Sequence, residues 1–238
     1  MKNTLISGIT LILFASCGTD HKPKIVHVEN NGTEILELKK DTTFIEIADL
    51  PIQINSTDYL IHPIGDFKIE NTRGKVLYKS SGYGAGSFSI SNYGRDRISG
   101  DLSNVKFQHI DSEKRSVLTE NLIKIRSLTF LRNLFDTTKK QFLVYEVTDN
   151  DTNQDGKLDF NDINTLYISK ISGVEFKRLT SKNRELIDWK FIASKNRLYF
   201  RSVEDTNKDG VFDKKDVIHY KYMDFNSKKL KVTAYKPI

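Results

Sequence analysis

One string of twelve residues occurs twice in this chain. Asp151-Thr-Asn-Gln-Asp-Gly-Lys-Leu-Asp-Phe-Asn-Asp162 returns 54 residues later as Asp205-Thr-Asn-Lys-Asp-Gly-Val-Phe-Asp-Lys-Lys-Asp216. Both copies carry oxygen-bearing side chains at positions 1, 3, 5, 9 and 12, glycine at 6 and an apolar residue at 8. A calcium ion takes about six to eight oxygens at about 2.3–2.6 Å, and a short loop supplies them only by winding tightly round the ion. Residues 1, 3 and 5 then point inward, and glycine at 6 takes the sharp turn that a Cβ would obstruct. The backbone carbonyl of position 7, Lys157 or Val211, faces the metal, and the carboxylate at 12 closes the cage. A pair of Asx turns would explain the glycine. It would not explain acidic or amide oxygens at all five positions in both copies. An all-oxygen ligand set favours calcium over zinc or copper, and the crowded loop suits magnesium poorly because that ion keeps its waters. The expectation is two calcium ions per chain.

Within these twelve residues the loops resemble the calcium loops of EF-hands and dockerins. The resemblance implies side-chain ligation by Asp151, Asn153, Asp155, Asp159 and Asp162, with Asp159 acting through water, and a carbonyl ligand from Lys157. Asp205, Asn207, Asp209, Val211, Asp213 and Asp216 take the same roles in the second loop. Position 12 departs from the EF-hand glutamate, while dockerin-like loops also use aspartate there. The flanks depart further. Gln141–Val147 and Arg197–Val203 precede the loops and are rich in β-branched and aromatic residues, as strands are. After the second loop, Ile218, Tyr220 and Tyr222 alternate on one face. After the first, Ile163, Leu166 and Tyr167 would also suit one helical turn.

At the amino terminus, Lys2 precedes an apolar run from Leu5 to Ala15 that ends Phe14-Ala-Ser-Cys17. This pattern predicts a secretory signal over residues 1–16, too short for a membrane span of about 20 apolar residues. Phe-Ala-Ser-Cys resembles a bacterial lipoprotein box, which implies that Cys17, the chain's one cysteine, carries lipid and anchors the protein to an envelope membrane, facing the periplasm or the surface. The other reading is an ordinary secretory signal with an incidental cysteine. Residues 17–33 are polar and predict a flexible tether, leaving a domain over 34–238.

Repetition organises that domain. Ser127–Leu134, Phe142–Val147, Thr165–Ile171 and Val174–Leu179 form one set of four predicted strands. Asp188–Ala193, Leu198–Val203, Val217–Met223 and Lys229–Ala234 form the next. In both, a twelve-residue loop joins strands two and three. A third set without a loop is traced through Asp58–Pro63, Lys75–Tyr78, Phe88–Ile90, Asn104–Ile110 and Arg115–Thr119, and Glu34–Ile54 is strand-like. The pattern predicts an all-β chain, a propeller-like array of about three to four four-stranded antiparallel meanders. The strand order and the Leu-Thr or Val-Thr endings resemble bacterial envelope propellers such as that of the Tol-Pal system.

Charge and catalytic signals are weaker. The net charge is +6, yet eight of the 31 acidic residues sit in the two loops, so the remaining surface is decidedly basic. No nucleic-acid motif accompanies that balance; attraction to anionic lipid or polysaccharide fits it better, and solvated lysines without a role fit it better still. The five histidines are scattered without metal-ligand spacing. Gly82–Ser87 lacks the Lys-Ser/Thr of a phosphate-binding loop. No catalytic residues can be named. The chain therefore predicts a non-enzymatic, calcium-stabilised binding or scaffolding lipoprotein that engages an envelope protein or glycan. The alternative is a carbohydrate-active or other envelope hydrolase on a propeller scaffold.

Overall fold

A computed structural model describes residues 23–27, 44–72, 75–80 and 90–238. The predicted secretory signal over residues 1–16, Cys17 and Gly82–Ser87 lie outside these residues. The fold is all-β and antiparallel. Its strands are β1 (Phe44–Ala48), β2 (Ile52–Gln53), β3 (Tyr59–Thr72), β4 (Lys75–Ser80), β5 (Ser91–Gly94), β6 (Arg97–His109), β7 (Arg115–Val117) and β8 (Lys124–Phe130). A short helix α1 (Arg132–Thr138) follows, then β9 (Phe142–Thr148), β10 (Thr165–Lys170), β11 (Lys177–Arg178), β12 (Arg184–Ile192), β13 (Arg197–Glu204), β14 (Val217–Asp224) and β15 (Val232–Ala234).

The two predicted loop-bearing meanders are present. β8-β9-β10-β11 and β12-β13-β14-β15 are each four consecutive antiparallel neighbours, and the long loops join β9 to β10 and β13 to β14. They stack face to face. Leu143, Tyr145 and Val147 of β9 turn into one core, whereas Phe142 and Val144, with Leu166 and Ile168 of β10, meet Leu186, Leu198, Phe200 and Met223 of the next sheet in a second. A layer buried on both faces needs apolar residues without alternation, and Phe142–Val147 supplies them. Face-to-face stacking of meanders is the packing of propeller blades.

The upstream strands depart from the predicted unit. They share one 11-stranded sheet with β8–β11, because β6 pairs with both β3 and β8. β6 is 13 residues long and bends. Register shifts fall between Ile64 and Gly65, between Ser99 and Leu102 and between Ile125 and Ser127. Such bulges bend strands and increase local twist, and here they curl the sheet round the first core. Gly100 lies at one of them, and a Cβ there would stand 2.2 Å from the Ile90 carbonyl oxygen. Lys124 crosses the bend between Asp66 (2.9 Å) and Asp101 (3.1 Å). Burial alone would lower its pKa, but the two carboxylates outweigh burial and raise it.

Two local expectations are corrected. The strand predicted over Ser127–Leu134 ends at Phe130, and α1 replaces the turn at Asp136–Lys139. Leu131, Leu134 and Phe135 have helical spacing, Leu134 is fully buried in the second core, and Lys139 ends the helix in the left-handed conformation (φ 60°). No helical turn follows the first loop. Leu166 and Ile168 are claimed by the second core, and β10 begins at Thr165.

Candidate metal centre

The two loops share most of their internal wiring and differ at position 1, where Asp151 Oδ1 also accepts the Asp155 amide at 3.2 Å while Asp205 Oδ1 has no partner. At position 1, Asp151 Oδ2 accepts the Gly156 amide at 2.9 Å, and Asp205 Oδ2 accepts the Gly210 amide at 2.8 Å. At position 3, Asn153 and Asn207 accept the amides of Asp155 (3.0 Å) and Asp209 (3.1 Å). At position 5, Asp155 and Asp209 accept from Lys157 (3.0 Å) and Val211 (2.9 Å). Asp159 and Asp213 each take the amide two residues on, at 2.7 Å. The carboxylate at 12 spans the loop. Asp162 accepts the Thr152 and Asp159 amides at 2.7 and 3.1 Å, and Asp216 those of Thr206 and Asp213 at 3.0 and 2.9 Å.

This wiring needs left-handed backbone at two places. Position 4 is Gln154 (φ 57°) or Lys208 (φ 60°), and position 6 is Gly156 (φ 80°) or Gly210 (φ 82°). Position 6 is glycine in both copies because L side chains rarely tolerate such a φ. At Gly210 space adds a second reason, since a Cβ would lie 2.7 Å from both the Ile25 carbonyl oxygen and the Pro23 ring.

Whether the residues fit a cation depends on what the carboxylates lack. Asp205 is buried, its Oδ2 is shared between Gly210 and His27, and its buried Oδ1 has no hydrogen-bond partner. A buried, unsatisfied carboxylate oxygen costs free energy, and a hard cation at position 1 of the loop would satisfy it. Asp162 is fully buried. Burial raises its pKa, against the lowering effect of the Asp159, Asn153 and Thr152 amides. Among the described residues, no three His, Cys, Asp or Glu side chains converge in metal-holding geometry. The carboxylates are instead turned onto backbone amides of their own loops. Each proposed donor set contains four aspartates, an asparagine and a main-chain carbonyl, so the aspartates would have to turn from these amides to take an ion.

Residues 23–27 were expected to belong to a flexible tether. They run instead across both loops. Lys24 N donates to the Gly210 carbonyl (2.9 Å) and Val26 N to the Thr152 carbonyl (2.8 Å). Thr152 Oγ1 donates to the Lys24 carbonyl at 2.6 Å. Ile25 is buried, Lys24 Nζ reaches Glu185 at 2.7 Å, and His27 Nε2 sits 2.8 Å from Asp205 Oδ2. Sequence reasoning missed this clamp. Its visible trace is Thr152 at position 2 of the first loop, and the polar surroundings hide the apolar pair Ile25-Val26. Leu158 and Phe212, whose spacing suggests that they turn into the sheet, are half-buried and belong to neither core. The buried apolar anchor of the first loop is Ile163. His219 lies in β14 and meets Glu204 Oε2 at 2.7 Å.

The fold thus defines an all-β protein of stacked antiparallel meanders with two matched twelve-residue loops between strands. No protein-family model matches the chain, and no curated protein matches it in sequence. Among solved structures, one described as a TolB from Agrobacterium tumefaciens is similar at 9% identity, with 79% of this chain and 80% of that chain covered and a TM-score of 0.24. So low a score carries no weight beside the sheet order and packing described above. No described helix is long and apolar enough to cross a membrane.

Proposed function

We propose that this protein is a calcium-binding lipoprotein of a bacterial cell envelope, a non-enzymatic binding or scaffolding module in which calcium is structural. The observation that carries the reading is the buried, unpartnered Oδ1 of Asp205, at position 1 of a loop most of whose wiring is repeated in its sister. Asp151, Asn153, Asp155, Asp159, Asp162 and the Lys157 carbonyl would hold one ion. Asp205, Asn207, Asp209, Asp213, Asp216 and the Val211 carbonyl would hold the other. Each ion supplies positive charge to a crowd of carboxylates and fixes a long connection. Extracellular calcium modules work at affinities near about 10⁻⁴–10⁻³ M, where the ion is plentiful and steady. The loops join strands rather than the paired helices whose opening exposes a sensor's target groove, which supports a fixed role.

Calorimetric titration of chelated protein tests the metal, with two sites expected and none in the Asp151→Ala/Asp205→Ala variant. Heat from no site, or from one, removes the reading. For the anchor, Cys17→Ser should move the protein from the membrane to the soluble fraction and abolish lipid labelling. Unchanged membrane association removes the lipoprotein assignment. A hydrolase would need two free carboxylates facing across a cleft. In the cavity of about 600 Å³ beside β10–β11, Asp149 is held by Tyr167 (2.5 Å) and Arg178 (3.0 Å), and Glu175 pairs with Lys170. Among the described residues, no observation favours the enzymatic reading.

A further inference from the structure

The strands of both meanders alternate in direction, so each has two ends. The calcium-type loops lie at one, where residues 23–27 join them. At the other, the segment entering β9, the end of β10 and the β14–β15 turn surround a cavity of about 790 Å³. Six lysines border it: Lys139, Lys140, Lys170, Lys177, Lys228 and Lys229. Glu175 is the one acidic residue at the cavity, and it is engaged by Lys170. Lys140 donates to the Phe225 carbonyl and Lys139 lies over the Phe135 ring, which leaves both charges uncancelled. Lys177, Lys228 and Lys229 are exposed and have no ion pair among the described residues. The cavity's apolar lining includes buried Phe142 and Ile171 and half-buried Tyr59 and Leu230.

Like charges lining one cavity repel one another unless salt, with a Debye length of about 8 Å, screens them, and a concave site concentrates their field on whatever enters. The ligand must therefore be anionic. The lysines come from three separate segments of the cavity lining. They lack the bidentate fork that fixes a single phosphate, so they suit negative charges spaced along a chain. A flat bilayer would span the mouth without reaching Phe142 or Ile171. A sugar ring has an apolar C–H face and polar edges. It can rest the first on Tyr59 and Leu230 while edge carboxylates or sulfates meet the lysines.

We propose that this lysine-lined groove binds an acidic polysaccharide bearing uronate or sulfate groups. The proposal rests on the non-enzymatic binding role above and names its partner class. The calcium ions sit at the opposite end and do not bridge to this ligand.

The test uses the calcium-loaded mature protein and a chondroitin sulfate octasaccharide as probe, with an uncharged dextran octasaccharide and phosphatidylglycerol vesicles alongside. The octasaccharide should bind, weaken as salt rises and lose about tenfold in affinity in Lys177→Gln/Lys228→Gln/Lys229→Gln. The variant Lys106→Gln/Lys182→Gln/Lys190→Gln, altered at exposed lysines outside the groove, should bind as the parent does. Thermal melting in calcium checks that both variants are folded. Equal loss in the two variants, equal binding of dextran, or binding to vesicles but not to the octasaccharide overturns the proposal. Repeating the titration with chelator below the melting transition separates the two readings. Retained octasaccharide binding with no calcium heat in the chelated protein leaves the groove standing and removes the metal. Calcium heat without octasaccharide binding does the reverse.

Discussion

The two ends of the meanders are built from opposite charges and hold together by different means. At the loop end, eight aspartates fall within two twelve-residue strings, and backbone amides, a clamping segment and the proposed ions compensate them. At the far end, lysines border a cavity with one acid at its rim, and nothing among the described residues neutralises Lys177, Lys228 or Lys229. Charge that a fold satisfies internally marks a place where connections must be fixed. Charge left open over a concave, partly apolar surface marks a place kept for a partner. The two stacked meanders link the ends, and their shared core makes the separation rigid.

Removing calcium should give the largest effect, and it should be confined to one end. A site held at about 100 times its dissociation constant contributes about 2.7 kcal/mol, so chelating both sites should lower the melting temperature by several degrees or more. Residues 150–161 and 204–215 should become protease-sensitive while the β14–β15 turn stays protected. Limited proteolysis followed by mass spectrometry reads this, and uniform cleavage would erase the contrast.

Lys124→Ala supplies the comparison from outside both ends. It removes the ammonium that bridges Asp66 and Asp101 in a mostly buried bend, and breaking such a group costs about 3–5 kcal/mol. The same loss in denaturant melts with and without chelator would show that the curled sheet is stable independently of the loops. A loss that appears only with calcium would tie the two together.

Ile25→Ala should cost about 2 kcal/mol, the low end for truncating a buried aliphatic residue, and should loosen both loops because residues 23–27 bond to each. Hydrogen exchange at Gly156 and Gly210 would report it, and faster exchange at only one of them would mean that the segment does not couple the loops. The smallest effect is expected at the far end. Replacing Lys177, Lys228 and Lys229 by glutamine should change stability by no more than about 0.5 kcal/mol in either direction, with like-charge relief offsetting lost solvation. A larger destabilisation would mean that these lysines hold the fold rather than face a ligand.

What the sequence discloses follows from the range of the forces involved. The loops are legible because twelve consecutive residues carry their own wiring, and the amides that bind Asp151 and Asp205 lie within five residues of them. The last two meanders are legible because, apart from the β8–β9 connection that holds α1, each strand meets its neighbour across a short turn or a recognisable loop. The upstream sheet is not. β6 pairs with β3, β5, β7 and β8, and bulges that no local pattern announces direct that exchange. The clamp escapes for the same reason, since Lys24 bonds to Gly210 from the other end of the chain. The lysine groove escapes because its residues come from three segments that meet only after the meanders stack. Helix α1 shows that a strand-like string can be overruled when Leu134 is needed in the second core.

The most direct measurement is calorimetric titration of calcium into chelated mature protein, beside the single variants Asp151→Ala and Asp205→Ala and the double variant. Two sites in the parent, one in each single variant and none in the double variant, with melting temperature rising in step with occupancy, is the predicted result. No calcium heat in the parent, or full occupancy without any gain in stability, would contradict the structural role assigned to the loops.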